Sequence, residues 1–185
     1  IQVPYTMEFL VRNDGSLLVS GTMDMTGKKL PELPRFGMRM ELAGRYENLC
    51  YYGRGPQENY IDRWSSAFVG RYEDKVENQY YPYARPQETG NKTDVRWLSL
   101  SDSEGTEVEI TGVSQPIAFS ALHYAPEDLD PGLTRKMQHT IDAIPQKDVF
   151  LHVDLKQRGL GGDNSWGMFP YNPYRLWDKK YGYSY

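Results

Sequence analysis

Cysteine is almost absent from this chain: one residue, Cys50, in 185. A single thiol excludes an internal disulfide and a zinc site built on thiolates. Within Leu49-Cys50-Tyr51 it reads as a small core residue rather than a nucleophile, so redox compartment is left open. Surplus positive charge is missing too. A net charge of −4 with a pI near 5.4 offers no basic patch, so neither nucleic acid nor an anionic membrane is expected as a partner. No apolar run approaches the ~20 residues that cross a bilayer, and no charged-then-apolar leader is visible. The chain opens on Ile1-Gln2-Val3 and closes on Tyr183-Ser184-Tyr185, which reads as an unfinished strand. These ends suggest a piece of a longer polypeptide.

Several chemistries lack their signatures. His123, His139 and His152 stand in no metal-ligand spacing. No serine nucleophile elbow occurs, and Gly53-Arg54-Gly55 lacks the third glycine of a dinucleotide loop. Retaining glycoside hydrolysis needs two carboxyls about 5–5.5 Å apart, yet no spacing among the 25 acidic residues picks out such a pair.

Aromatic residues are plentiful, with 15 Tyr, 6 Phe and 4 Trp. Such rings suit half-buried strand faces as well as sugar-stacking surfaces, and composition alone does not separate the two. Tyr5, Met7, Phe9 and Val11 alternate with polar residues, Asn13-Asp14-Gly15 supplies a turn, and Leu17, Val19 and Met23 alternate again: a β-hairpin. Further strands are expected at 36–42, 46–52, 67–72, 95–101, 107–113, 117–123 and 148–157. One short helix is expected after Ala125-Pro126, kept short by Pro131 and Gly132. Strands separated by Gly, Pro, Asn and Asp turns predict one all-β domain over residues 1–185, a large antiparallel β-sandwich.

Two long irregular stretches, 53–66 and 80–94, interrupt the strands, and loops of that length inside a compact domain are functional or disordered. Their mixed charges predict order. Arg63 with Asp62 or Glu58 reads as an ion pair stiffening the backbone, whereas Arg85, Asn91 and Lys92 are better placed to meet a ligand. Glu58, Asp62, Glu88 and Asp163 are candidates for polar contacts to sugar. A third segment, Gly161-Gly162-Asp163-Asn164-Ser165-Trp166-Gly167, follows an alternating run over Val149, Leu151, Val153 and Leu155. Glycines and short polar residues there end on a large aromatic, which gives the backbone freedom that a sugar-stacking ring needs.

Taken together, these segments resemble a known family. Tyr52-Gly53-Arg54-Gly55-Pro56-Gln57-Glu58-Asn59-Tyr60-Ile61-Asp62-Arg63 and Gln79 to Trp97, with Pro126-Glu127-Asp128-Leu129 and Gly159 to Gly167, are similar in order to the C-terminal domain of bacterial β-galactosidases of glycoside hydrolase family 2. Leu33-Pro34-Arg35-Phe36-Gly37-Met38 looks like that domain's entry strand. The resemblance implies a galactose-mutarotase-like sandwich, the fifth and last domain of its enzyme. It implies that the catalytic glutamates and the magnesium belong to a barrel domain outside this chain, with no cofactor here. Trp166 would then stack on the sugar at the aglycone subsite, beside Asp163 and Asn164, and the loop carrying Arg85, Glu88, Asn91 and Lys92 would lie near the mouth. Implied partners are a galactoside substrate and the other domains of the same polypeptide, and whether the protein is a homo-oligomer is left open. The compartment stays open between bacterial cytoplasm and periplasm. The stretch Gly167 to Tyr174 is more aromatic than the family pattern, which leaves the aglycone preference open. Two alternatives are a stand-alone aldose mutarotase, using a histidine and a carboxylate that no spacing here supports, and a purely structural sandwich.

Overall fold

The computed structural model describes residues 2–130, 132, 138–164 and 166–185. Pro131, expected to end the short helix, and Ser165 of the Gly-Gly-Asp-Asn-Ser-Trp segment lie outside the described residues. The expected hairpin forms: β1 (Tyr5–Val11) pairs antiparallel with β2 (Leu17–Asp24). At its turn Gly15 takes φ +87°, a left-handed conformation that a side chain would strain. The Asp14 carboxylate accepts the Ser16 N–H at 2.9 Å and closes the corner. Its alternation does not bury a face of β1, however. Phe9, Leu10 and Val11 stay exposed, with neither face of that end of β1 covered, and β1 is also the edge of its sheet, paired with β2 on one side only.

The remaining strands are β3 (Arg35–Leu42), β4 (Asn48–Gly55), β5 (Phe68–Lys75), β6 (Lys92–Val95), β7 (Trp97–Ser101), β8 (Glu107–Thr111), β9 (Ile117–Leu122), β10 (Val149–Gln157) and β11 (Lys180–Ser184). They form three sheets, ordered β1-β2-β11, β3-β10-β9-β6 and β5-β4-β7-β8, and every strand pair is antiparallel. The all-β sandwich class stands. One expected strand, 95–101, is divided. Asp94 adopts φ +58°, and the Arg96 N–H is drawn off to the Tyr52 carbonyl at 2.8 Å. The chain therefore leaves one four-stranded sheet as β6 and enters the other as β7. The expected helix is a single turn, α1 (Pro126–Leu129).

The two four-stranded sheets share one core. Leu49 and Tyr51 of β4, Leu98 and Leu100 of β7, Phe119 of β9 and Leu151 and Val153 of β10 are all essentially inaccessible to water. Tyr51 and Phe119 meet edge to face across it, centroids 5.2 Å apart. Phe36 of β3 carries the core to the third sheet, with Tyr181 and Tyr183 each 5.4 Å from its ring. Leu151 and Val153 face inward, so His152 between them emerges on the opposite face of its sheet, as their alternation predicts.

Candidate functional site

Trp166 stands almost free of the protein, 92% exposed, on the segment that leaves β10. Gly161, Gly162 and Gly167 have φ of +67°, +76° and +71°. At Gly161 the need for glycine is also steric, since an added Cβ would lie 2.5 Å from the Met168 carbonyl and 2.6 Å from the Pro170 nitrogen. The Gly162 N–H reaches the Met168 carbonyl at 2.7 Å, and the Asn164 side chain accepts the Trp166 N–H at 2.9 Å. The segment is thus a folded turn that presents an indole. Asp163 and Asn164 are exposed beside it, and the Asp163 carboxylate pushes the pKa of the Tyr171 hydroxyl up.

Beyond the tryptophan, Asn164, Trp166, Phe169, Tyr171 and Arg175 line an open recess. Phe169 is 61% exposed and lies against two guanidinium groups, those of Arg158 at 5.8 Å and Arg175 at 5.2 Å. Arg175 also covers the Trp177 ring at 4.5 Å. Glu32 holds both arginines, accepting from Arg158 at 2.6 Å and from Arg175 at 2.5 and 2.9 Å. Phe169, Tyr171 and Arg175 were not expected as site residues. Their one sequence signal is the aromatic surplus after Gly167; Glu32 lies far off in the chain and gives none.

The expected ion pair of Arg63 with Asp62 or Glu58 does not form. Asp62 instead accepts the Gly161 N–H at 2.9 Å, and Arg63 donates to the Gly161 carbonyl. Glu58 turns the other way, accepting from the Tyr83 hydroxyl, from Thr89 Oγ1 at 3.0 Å and from the Gly90 N–H at 2.7 Å. Burial, with Glu58 as acceptor, pushes the Tyr83 phenol up to about 12. One loop, between β4 and β5, therefore braces both the Trp166 segment and the 80–91 loop. An ion-pair reading holds instead for Arg54, whose Nε is 3.2 Å from Asp94 and whose guanidinium stacks on Trp64 at 4.7 Å.

Of the four expected ligand contacts in the second loop, only Arg85 is exposed. Asn91 and Lys92 turn inward, 0% and 2% exposed, so neither presents a side chain to solvent. Asn91 and Asn59 clip the two loops together. The Asn59 N–H donates to the Asn91 carbonyl and the Asn91 amide to the Asn59 carbonyl, both at 2.8 Å. Lys92 Nζ donates to Gln79 Oε1 at 2.9 Å and to the Gly90 carbonyl at 3.2 Å, and burial brings its pKa down to about 8. Their polar character suggested surface residues. Their partners, distant in sequence, keep them inside.

Glu88 faces another space, a cavity of about 190 Å³ over β9 and β10 that it shares with His152, Arg35 and Ser120. Arg35 bridges Asp154, at 2.5 Å, to Glu88, at 3.2 Å. Burial pushes the Glu88 carboxyl up against the pull of Arg35, and it lowers His152 to about 4, helped by Arg35 and Arg39. A histidine and a carboxyl thus meet at one cavity, which their spacing in the chain did not indicate. Among the described residues no three His, Cys, Asp or Glu side chains are grouped closely enough to hold a metal ion, and no helix is long and apolar enough to cross a membrane.

Residues 2–185 match the family described as the beta galactosidase small chain. The chain is 34% identical over 169 residues to a beta-galactosidase of Priestia megaterium, covering 91% of this chain and 16% of the relative. It is 35% identical over 178 residues to a beta-galactosidase of Halalkalibacterium halodurans, 95% of this chain and 17% of the relative. Beta-galactosidase BgaC of Bifidobacterium adolescentis is 34% identical over 184 residues, with 95% and 17% covered. The chain spans about one sixth of the length of these relatives. With that family match running over nearly every residue, the chain belongs to the beta galactosidase small chain family.

Proposed function

We propose that this chain is the C-terminal domain of a β-galactosidase and forms part of its substrate mouth, with Trp166 as the stacking surface for the sugar or other group that leaves with the glycosidic oxygen. The single observation that carries this reading is the exposed indole of Trp166 on a turn pinned at its base by Asp62 and Arg63. A large aromatic ring held out of the core costs apolar burial, and an apolar sugar face laid on it recovers that burial. Asp163 and Asn164, exposed beside the ring, are the hydrogen-bonding groups nearest to such a ligand in the chain, and Arg85 contributes from the second loop. Asn91 and Lys92 act indirectly, by fixing that loop from inside. A fully buried Trp166 with no open groove beside it would favour the purely structural alternative, and the ring is instead exposed beside an open recess.

In this reading the bond-breaking carboxylates, and the magnesium that the family resemblance implies, sit in other domains of the same polypeptide. The residues of this chain then position the leaving group and take no part in breaking the bond. Hydrolysis of a nitrophenyl β-galactoside tests the assignment: the intact polypeptide turns it over and the isolated 185-residue chain does not. Appreciable turnover by the pure isolated chain would put the chemistry here and refute the reading.

A further inference from the structure

The β1-β2 hairpin has an apolar face that the described residues cover only in part. Residues paired across two antiparallel strands share a face, so Phe9 with Val19 and Val11 with Leu17 put four apolar side chains on one side. Val19 is buried, yet Phe9 is 58%, Val11 76% and Leu17 49% exposed. Below this face lies an apolar groove of about 580 Å³. Phe9 and Leu17 line it from the hairpin, Met38 and Met40 from β3, and Val108 and Ile110 from β8. β3 and β8 are the outer strands of their own sheets, so the groove runs along a side where the sandwich is open.

The backbone of β1 is equally unfinished. The Asp24 N–H donates to the Pro4 carbonyl and the Arg12 N–H to the Ser16 carbonyl. Bonded and non-bonded pairs alternate along an antiparallel ladder, so Thr6, Glu8 and Leu10 are the residues of β1 that bond β2. Tyr5, Met7, Phe9 and Val11 turn their N–H and C=O groups the other way, where no strand lies among the described residues. Nothing blunts this edge: β1 contains no proline and a single charge, Glu8. An open edge beside a bare apolar face is a template for one more strand.

A second copy suits this edge poorly. Two β1 strands paired along their whole length would set Glu8 against Glu8, and Glu107 and Glu109 add acid to the groove in each copy. A strand of the same polypeptide is better supplied. The chain spans about one sixth of the length of its relatives, and β1 starts at Tyr5, a turn's length from Ile1. Strands joined by a short turn are usual neighbours in a sheet, and the covalent tether raises the local concentration of the incoming strand. We propose that the polypeptide immediately preceding Ile1 forms an antiparallel strand on the free edge of β1. Its apolar side chains, one on every second residue, lie beside Phe9 and Val11 and close the groove over Met38, Met40, Val108 and Ile110. The sandwich is then shared between this chain and the residues before it. The proposal rests on the reading of the chain as the C-terminal part of a longer enzyme, and it goes further by naming the surface and the mode of joining.

Two measurements on the intact polypeptide test it. The first is amide-resolved hydrogen exchange of the wild type. The outward N–H groups of Tyr5, Met7, Phe9 and Val11 should exchange within about tenfold of those of Glu8 and Leu10, which β2 holds. Outward groups that exchange as fast as an unstructured chain mean an open edge and overturn the proposal. The second places the photo-cross-linker p-benzoylphenylalanine at position 9, where an aromatic ring already stands. Irradiation should link it to residues upstream of Ile1 in the same chain. A link to a second chain, or only to residues within 2–185, overturns the proposal. If the labelled protein does not fold, exchange in the wild type decides. Nitrophenyl galactoside hydrolysis is read on the same preparations. Hydrolysis with an open edge refutes this proposal alone. An upstream link without hydrolysis refutes the galactosidase reading and upholds the shared sandwich.

Discussion

Asp62 accepts the backbone N–H of Gly161 at 2.9 Å across 99 positions of sequence. Arg63, the next residue, donates to the carbonyl of that same glycine. Two adjacent side chains thus hold the two peptide groups on either side of the Gly161 Cα, at the root of the Trp166 turn. The same loop, through Glu58 and Asn59, holds Gly90 and Asn91 of the second loop. Neither long segment is positioned by its own sequence alone, and the exposed indole depends on a fastening remote from it.

Gly161→Ala attacks that root directly. The left-handed φ costs about 1–2 kcal/mol for a residue with a Cβ, and contact with the backbone at Met168 and Pro170 adds to it. Denaturant unfolding should show a loss of about 2 kcal/mol or more, together with easier proteolysis between 159 and 170. A variant as stable and as resistant as the parent would mean that the turn is not held as described.

Asp62→Ala leaves the Gly161 N–H without its acceptor while keeping the glycine. A lost hydrogen bond to a charged group is worth about 1.5–3 kcal/mol, and the lower end is expected because Arg63 still grips the carbonyl. Urea unfolding measures the loss. Easier cleavage should be confined to the Trp166 segment and spare the 80–91 loop, which Glu58 and Asn59 hold independently. Equal loosening of both loops would contradict this separation.

Lys92 makes the stability of the fold depend on alkaline pH. Its ordinary pKa of 10.5 falls to about 8 in the folded protein because burial disfavours the ammonium. Below about pH 8 the lysine is charged in both folded and unfolded chains, and the fold bears the full penalty, ~3 kcal/mol. Between about 8 and 10.5 the folded state has shed the proton and the unfolded state has not, so stability rises with pH across that window. Lys92→Met lacks this rise. Unfolding of both proteins at pH 7, 8, 9 and 10 should show the wild type gaining ~2–3 kcal/mol on the variant; parallel curves would contradict a buried, depressed lysine.

The strands were legible where local pattern suffices. Leu151 and Val153 alternate about His152, and both the burial of the first two and the emergence of the third follow from that period. The break at Arg96 was not legible, because the run 95–101 is strand-like on both sides of it. The change of sheet is decided by the Tyr52 carbonyl, which captures the Arg96 N–H from elsewhere in the fold. Lys92 and Asn91 failed for a related reason. A polar loop residue reads as exposed unless its partners are known, and Gln79 and Asn59 become partners only after folding. Trp166 was the easier case, since glycines and short polar residues ending on an aromatic are legible in the sequence, and Gly161, Gly162 and Gly167 do take positive φ.

The central claim is that Trp166 serves the leaving or accepting group rather than the galactosyl chemistry. The direct measurement is nitrophenyl galactoside turnover by the intact enzyme and its Trp166→Ala variant over a range of added glucose, with galactosyl transfer to glucose followed beside hydrolysis. A lost stacking surface is worth about 1–3 kcal/mol, by analogy with aromatic stacking of other ring ligands. The glucose concentration giving half-maximal transfer should therefore rise at least about fivefold in the variant. Hydrolysis without glucose should change little. An unaltered glucose response, or a variant that loses hydrolysis and transfer together, would contradict the account.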